Sequence, residues 1–368
     1  MNFVLYLENG VIKMQVEVID LFCGVGGLTK GLSNAGLNVI AGFDNDKTCK
    51  YAYSHNNKSD FYLKDIRNVP SSFIDNLFSK NSLKVIVGCA PCQPFSNLRS
   101  KYKTNNQNDE KYNLLKEYGR IISEIKPTII SMENVPQITK TEIYNYFITL
   151  ISQLGYKFDS QIINCSDYGI SQGRKRFVLL GSLLGEIELI KPTNKNAPPT
   201  VKDYIYNLPP IHAGEVDAHD QLHQAASLSD KNILRIRASK PGGSWVDWPE
   251  ELLCECHKKL TGSTYKSVYG RLKWDQIGPT ITTQFYNYGT GRYGHPEQDR
   301  ALSLREGALL QTFPRDYDFI DPNIKLSFRA IARHIGNAVP VKLGEVIGES
   351  IIHHIDSYNI SPKRGLLQ

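Results

Sequence analysis

The chain has 368 residues, 41% of them hydrophobic and 22% charged, with a formal charge of +6. That length allows a full core plus a second lobe, while so mild a charge does not by itself establish a polyanionic partner. No apolar run approaches the ~20 residues of a membrane span, and residues 1–13 lack the basic start and small-residue cleavage site of a secretory signal, so a cytoplasmic protein with no membrane partner is expected.

From residue 16 to about residue 182, short apolar runs alternate with amphipathic stretches, the pattern of parallel strands with helices on both faces of the sheet. Strands are predicted at 16–21, 38–43, 61–63, 84–87, 128–132, 158–164 and 177–181, and helices at 28–35, 47–55, 71–78, 114–125 and 142–154. Met14 is as good a start as Met1, since this pattern begins just after it. Beyond Lys191, prolines at 192, 198, 199, 209 and 210 and the pair Gly242-Gly243 break any long period. Helical spacing returns at 303–311 and 341–352. The expected organisation is an α/β domain over 14–190, a smaller irregular domain over 191–299 and a return to the first over 300–368.

Seven scattered cysteines argue for reduced thiols rather than a disulfide framework. Cys89 and Cys92 form a C-x-x-C, but Pro91 and Pro94 interrupt it where a redox motif would open a helix. Cys254-Glu255-Cys256-His257 has ligand chemistry, yet no second pair follows at finger spacing, so it reads as structural and no metal is expected.

Four segments carry chemistry. Gly24, Gly26 and Gly27 sit at a strand-to-helix turn, where backbone amides and a helix start can approach a ligand. Their F-x-G-x-G-G spacing differs from the dinucleotide G-x-G-x-x-G, and Asp44, closing the second strand, is placed to accept from ribose hydroxyls. Cys92 lies in a proline-fixed turn after the fourth strand, within Gly88-Cys89-Ala90-Pro91-Cys92-Gln93-Pro94-Phe95-Ser96. Met132-Glu133-Asn134-Val135 ends the fifth strand, and Gln172-Gly173-Arg174-Lys175-Arg176 precedes the last. Taken singly, each has an ordinary reading as a buried thiol, an ion-pair partner or a solvated charged run.

Together, P-C-Q, E-N-V and Q-x-R-x-R stand in the order and at separations similar to those of the DNA (cytosine-5) methyltransferases, which this chain resembles over residues 16–182 and again at 300–306 and 335–340. The resemblance implies a Rossmann-like S-adenosylmethionine-dependent methyltransferase sheet with a target-recognition domain, in a monomeric enzyme of bacterial restriction-modification type acting on double-stranded DNA beside a separately acting restriction endonuclease. It implies that Phe22, Gly24, Gly26, Gly27, Asp44, Asp65, Ile66, Leu114 and Asn337 hold S-adenosylmethionine. Asn45 stands where the family often has an aromatic ring, and the usual D-x-R-G before Leu114 is missing.

The resemblance also assigns the chemistry. Cytosine C5 is a poor nucleophile until a thiolate, here Cys92, adds at C6. Charge then moves onto N3 and O2; a buried, protonated Glu133 is expected to meet the first and Arg176 the second, with Arg174 orienting Glu133 or a phosphate. A base stacked in a duplex must be flipped out to reach them. Gln93, Ser96 and Arg99 in the loop after Cys92, and Arg271, Thr282 and Arg292 in the irregular domain, are the expected DNA contacts. Basic and acidic side chains nearly balance across 191–299, so specific contacts rather than bulk charge must serve there. Trp245, Trp248 and Trp274 are expected in the core of that domain. Two other readings stay open: a tRNA cytosine-5 methyltransferase, although the chain has no Cys-Phe-Thr, and a catalytically silent DNA-binding regulator.

Overall fold

The computed structural model describes residues 7–8, 11–91, 113–259, 265–324, 326–358 and 360–362. Cys92, Gln93, Ser96 and Arg99 lie outside them. In chain order the elements are β1 (Leu7–Glu8), β2 (Val11–Met14), β3 (Val16–Leu21), α1 (Gly27–Asn34), β4 (Asn38–Asp44), α2 (Lys50–Asn56), β5 (Asp60–Leu63), α3 (Ser71–Asp75) and β6 (Leu83–Gly88). There follow α4 (Leu114–Ile125), β7 (Ile129–Asn134), α5 (Glu142–Gln153), β8 (Lys157–Asn164) and β9 (Lys175–Ser182). The remainder is α6 (Val201–Ile205), α7 (Asp230–Ala238), α8 (Leu304–Leu310), α9 (Phe328–Asn337), α10 (Val341–Ser357) and β10 (Ile360–Pro362).

All seven predicted strands are present in one sheet, ordered β5-β4-β3-β6-β7-β9-β8. The first five run parallel, but β9 is antiparallel to both β7 and β8, so the sheet is mixed rather than wholly parallel. The physical reason lies in the connection: β8 and β9 have no crossover helix between them, and without one consecutive strands pair antiparallel. The predicted helix at 47–55 begins instead as a 3₁₀ turn over Lys47–Cys49, because the Asp46 side chain accepts from the Thr48 amide and tightens the start. A separate small sheet has the order β1-β2-β10.

Every residue of β3 is buried, as in a strand covered on both faces, and its two acids have donors there, Glu17 from Ser79 and Asp20 from Thr29. Ile19, Leu21, Ile86, Ile130 and Met132 from the strands pack with Leu115, Ile121, Ile122, Phe147 and Ile151 from α4 and α5. The Tyr118 hydroxyl reaches from α4 to the Ser131 carbonyl at 2.7 Å. Elsewhere in this unit α1 lies directly on α10: a side chain at Gly31 would collide with the backbone of Val341 and Gly344, so only glycine permits the crossing.

Compactness divides the chain into two units. One comprises the chain up to Asn164, Lys175–Pro192 and the chain from Val339; the other comprises Cys165–Arg174 and Thr193–Ala338. The return to the first unit therefore comes at Val339 rather than at residue 300, and the ten residues between β8 and β9 belong to the second unit. The second unit holds four short helices and many turns, and its aromatic core contains Trp245, Trp248 and Tyr288. Trp274 is anchored differently, its indole N–H donating to Glu297 Oε1 at 2.7 Å.

A buried ion pair organises this unit where no large sheet does. Arg300 grips Glu306 with two bonds of 2.7 Å, both side chains fully buried, while Ser303 and Glu306 close a capping box on α8. Burial raises the Glu306 carboxyl, but the Arg300 charge and bond outweigh it and hold the group at about 2. Burial pushes the neighbouring His295 down to about 4, with the Glu306 charge opposing. Both groups bind protons more readily when unfolded, so their stabilisation is lost as pH falls. The window runs from 6.5 to about 4 for His295 and from 4.5 to about 2 for Glu306. Glu306→Gln should cost about 3–5 kcal/mol at neutral pH by leaving Arg300 buried and uncompensated. Denaturant titrations across that pH range measure both effects; a flat profile in the parent would refute the assignment.

Candidate active site

The carboxyl ends of the central parallel strands hold the groups singled out in the sequence. At the end of β3 the chain turns sharply: Phe22, Gly24 and Gly26 all have positive φ, at 65°, 52° and 87°. For Phe22 that is a strained conformation, and it is kept while the ring packs against the sheet core. A Cβ built on Gly24 meets nothing within 4 Å, so the turn leaves open space above its backbone. Gly26 caps α1, which starts at Gly27.

Asp44, ending β4, joins that turn to the neighbouring strand. Its Oδ2 accepts from the Gly24 amide at 2.9 Å and its Oδ1 from the Asp46 amide at 2.8 Å. Burial raises its pKa, and the amides of Asp46, Gly24 and Asn45 pull against that rise. Three amide donors take three of the carboxylate's roughly four acceptor sites, which leaves room for a sugar hydroxyl. Asp65 is placed at the end of the β5 segment, where Arg67 holds its carboxyl below the ordinary value and the Asn45 side chain adds a further bond. Asn45 thus has a polar role in place of the aromatic one of the family pattern, and Arg67 is a residue the sequence reading missed. Ile66 is buried beside them, and Leu114 packs at the first turn of α4. These positions fit a nucleoside-bearing ligand: acid, open glycine turn and apolar wall lie in one unit.

The second group stands at the ends of β6, β7 and β9. Glu133 is 2% exposed. Its Oε1 lies 2.8 Å from Arg176 Nε, an ion pair by distance whose angle falls outside hydrogen-bond geometry. Its Oε2 accepts from the Cys89 thiol at 2.8 Å. Arg176 Nη1 donates to the Lys175 carbonyl, and among the described residues Nη2 is left for a ligand. The register explains the meeting: Glu133 pairs with Val178 across β7 and β9, and β6 runs parallel beside β7, so three strand ends converge.

Two residues here went unassigned in the sequence reading. Asn134, buried, donates to the Ala90 carbonyl at 3.1 Å and so holds the backbone just beyond β6. Cys89 was weighed only as half of a redox pair; its place immediately after an apolar strand was the signal that it would face the strand-end carboxylate.

Other expected residues have different surroundings. Arg174 is buried in the second unit, where Nη1 and Nη2 donate to the carbonyls of Ile281 and Ala338 at 3.2 and 3.3 Å. These partners differ from the carboxylate or phosphate expected of it. Arg271, expected at a base edge, is also buried: its Nη2 donates to the Gln298 carbonyl and to Asp299 Oδ1, both at 2.8 Å. We correct its role to a scaffold residue, because withdrawing that guanidinium would leave the Gln298 and Ser239 carbonyls without that donor and Asp299 with Arg237 alone. Arg292 is half-buried and bonds the Gly242 and Gly243 carbonyls. Thr282 is half-buried beside Tyr293, their hydroxyls 3.2 Å apart. Asn337 is exposed at the last position of α9, in the second unit.

Comparison with known proteins identifies the family. The family model for C-5 cytosine-specific DNA methylase matches residues 16–353. The type II methylase M.HgiDII of Herpetosiphon aurantiacus is 52% identical over 338 residues, covering 91% of this chain and 94% of that protein. The type II methyltransferase M.Sau96I of Staphylococcus aureus is 29% identical, over 93% of this chain and 77% of its own length. Among solved structures, one described as a DNA modification methyltransferase encoded within an E. coli prophage superposes with a TM-score of 0.71 at 23% identity, covering 93% of this chain and all of that one, a likeness of fold. A match that runs through nearly every element, with a strand-end carboxylate, guanidinium and glycine turn where the chemistry needs them, places this chain in the C-5 cytosine-specific DNA methylase family: it is a DNA cytosine-5 methyltransferase.

Proposed function

We propose that the protein flips a cytosine out of duplex DNA, adds the Cys92 thiolate to C6 and so directs a methyl group from S-adenosylmethionine onto C5, as the modification enzyme of a restriction-modification system. The observation that carries this reading is the buried Glu133, held between Arg176 and Cys89 at the convergence of three strand ends. When bound, S-adenosylmethionine supplies an electrophilic methyl on a sulfonium.

Phe22, Gly24, Gly26, Gly27, Asp44, Asp65, Ile66, Leu114 and Asn337 are the groups assigned to that cofactor; Asp44 takes the ribose hydroxyls and Asp65 with Ile66 the adenine. Cys92 forms the S–C6 bond, which makes C5 nucleophilic. The displaced electron pair collects at N3 and O2, where Glu133 delivers a proton to N3 and Arg176, through Nη2, pairs with O2. Once C5 carries the methyl group, loss of the C5 proton to water re-forms the C5–C6 double bond and expels the thiolate, and the N3 proton returns to Glu133. Arg174 acts in this scheme by holding the backbone around Ile281 and Ala338. Gln93, Ser96 and Arg99 are assigned to the flipped nucleotide and its phosphates, and Thr282 with Arg292 to the recognised bases.

The enzyme works as a cytoplasmic monomer in this reading, and the cognate endonuclease is a separate protein. Among the described residues no helix is long and apolar enough to cross a membrane. The type II names of the relatives support the restriction-modification assignment. Incorporation of tritiated methyl from S-adenosylmethionine into unmethylated duplex DNA and into tRNA, followed by bisulfite sequencing, tests the proposal. Label confined to cytosine C5 within one short DNA sequence is expected. Label in tRNA alone, or in neither, overturns it.

A further inference from the structure

The second unit contains a cluster that methyl transfer does not use. Cys254, Cys256 and His257 are brought together with their ligand atoms all within 4.8 Å of one another. The local chain explains why: the His257 amide donates to the Cys254 carbonyl at 2.8 Å, reversing the backbone over four residues and turning both thiols and the imidazole to one side. The sequence argued against a metal because no second ligand pair follows at finger spacing. The tight turn supplies what that spacing lacks.

The imidazole is already oriented. His257 is buried, stacked on Trp245 with centroids 4.2 Å apart and planes at 15°, and met edge-on by Tyr269 at 5.7 Å. The Cys254 amide donates to His257 Nδ1 across a long 3.4 Å, a weak bond that a metal ion on that nitrogen would displace. Cys254 is half-buried and Cys256 exposed, which leaves the open side to solvent. At the rim Glu255 pairs with Lys258, both well exposed.

We propose that Cys254, Cys256 and His257 form a Zn2+ site, with water in the fourth position, that fastens this turn to the aromatic cluster of the second unit. Two thiolates and an imidazole suit zinc by softness and by geometry, whereas calcium or magnesium would call for oxygen donors. With Zn–S near ~2.3 Å and Zn–N near ~2.0 Å in a tetrahedral site, the ligand atoms need close in by only roughly 1 Å, within reach of side-chain rotation alone. On binding, the two thiols lose their protons to solvent. The cluster so fastened includes Trp245, Trp248 and Tyr288, the core of a unit that lacks a large sheet.

The test uses the full chain carrying Cys92→Ser, so that the nucleophilic thiol does not compete for metal. Titration with Co2+ should saturate at about one equivalent, with a thiolate-to-metal charge-transfer band and the strong visible bands of a tetrahedral site, both bleached by Zn2+. Adding Cys254→Ser and Cys256→Ser should abolish the bands, and so should His257→Phe, which keeps the ring stacked on Trp245 but removes the nitrogen. One equivalent of Zn2+ should raise the thermal midpoint of the parent and leave that of the serine variant unmoved. Failure of the parent to bind Co2+ stoichiometrically, or identical bands in the serine variant, overturns the site. Neither outcome depends on methyl transfer, so the proposal stands or falls separately from the reaction.

Discussion

Replacing Cys92 with serine should lower methyl transfer to duplex DNA at least roughly a thousandfold, because an alcohol has far less of the anionic form needed to add at C6. The loss should lie in turnover. Cofactor affinity, which the proposal assigns to Gly24, Asp44 and their neighbours, should stay within about twofold. A fluorine at C5 of the target cytosine sharpens the test, since C5 then has no proton to lose and the S–C6 adduct cannot break down. The parent should accumulate a denaturation-resistant protein–DNA complex and the Cys92→Ser protein none. A variant that still forms the adduct would move the nucleophile elsewhere, with Cys89 the obvious candidate.

Glu133→Gln should reduce turnover by about 10²–10⁴, the range of a positioned general acid, while leaving the binding of S-adenosylmethionine nearly intact. The amide keeps the shape of the side chain but gives up the charge facing Arg176 and cannot take up and pass on a proton. Cys89→Ala removes only one of the two contacts that hold the carboxylate, so a loss of about tenfold or less is expected. Single-turnover rates with radiolabelled methyl donor, measured beside cofactor Kd by titration calorimetry, separate these effects. Equal losses of turnover and cofactor affinity in Glu133→Gln would mean that the pair with Arg176 supports the fold instead of the reaction.

Much of the fold was legible because its signals are local. Val16–Leu21 and Ile129–Asn134 are buried along their whole length, and short runs dominated by Val, Ile, Leu and Met identify covered strands without reference to any partner. The glycine turn after β3 was legible for the same reason, since positive φ at Gly24 and Gly26 is a demand of the backbone itself. What was missed depended on direction. That β9 enters the sheet antiparallel between β7 and β8 follows from pairing at a distance, on which its own residues are silent. Arg271 shows the same limit: an arginine among glycines and aromatics has the composition of a base reader, and only its burial against Gln298 and Asp299 makes it a scaffold.

The amino-acid order alone determined the alternation of strand and helix, the glycine turn and the succession of cysteine, glutamate and arginine motifs, because each is encoded within a few neighbouring residues. The tertiary structure alone decided that Cys89 and Arg176 share the carboxylate of Glu133, that Asn134 holds the Ala90 carbonyl, and that two cysteines and a histidine face one another beside Trp245. Those contacts join strand ends or pack a turn onto an aromatic core, and their distances are set by sheet register and side-chain packing, which no short stretch of chain contains.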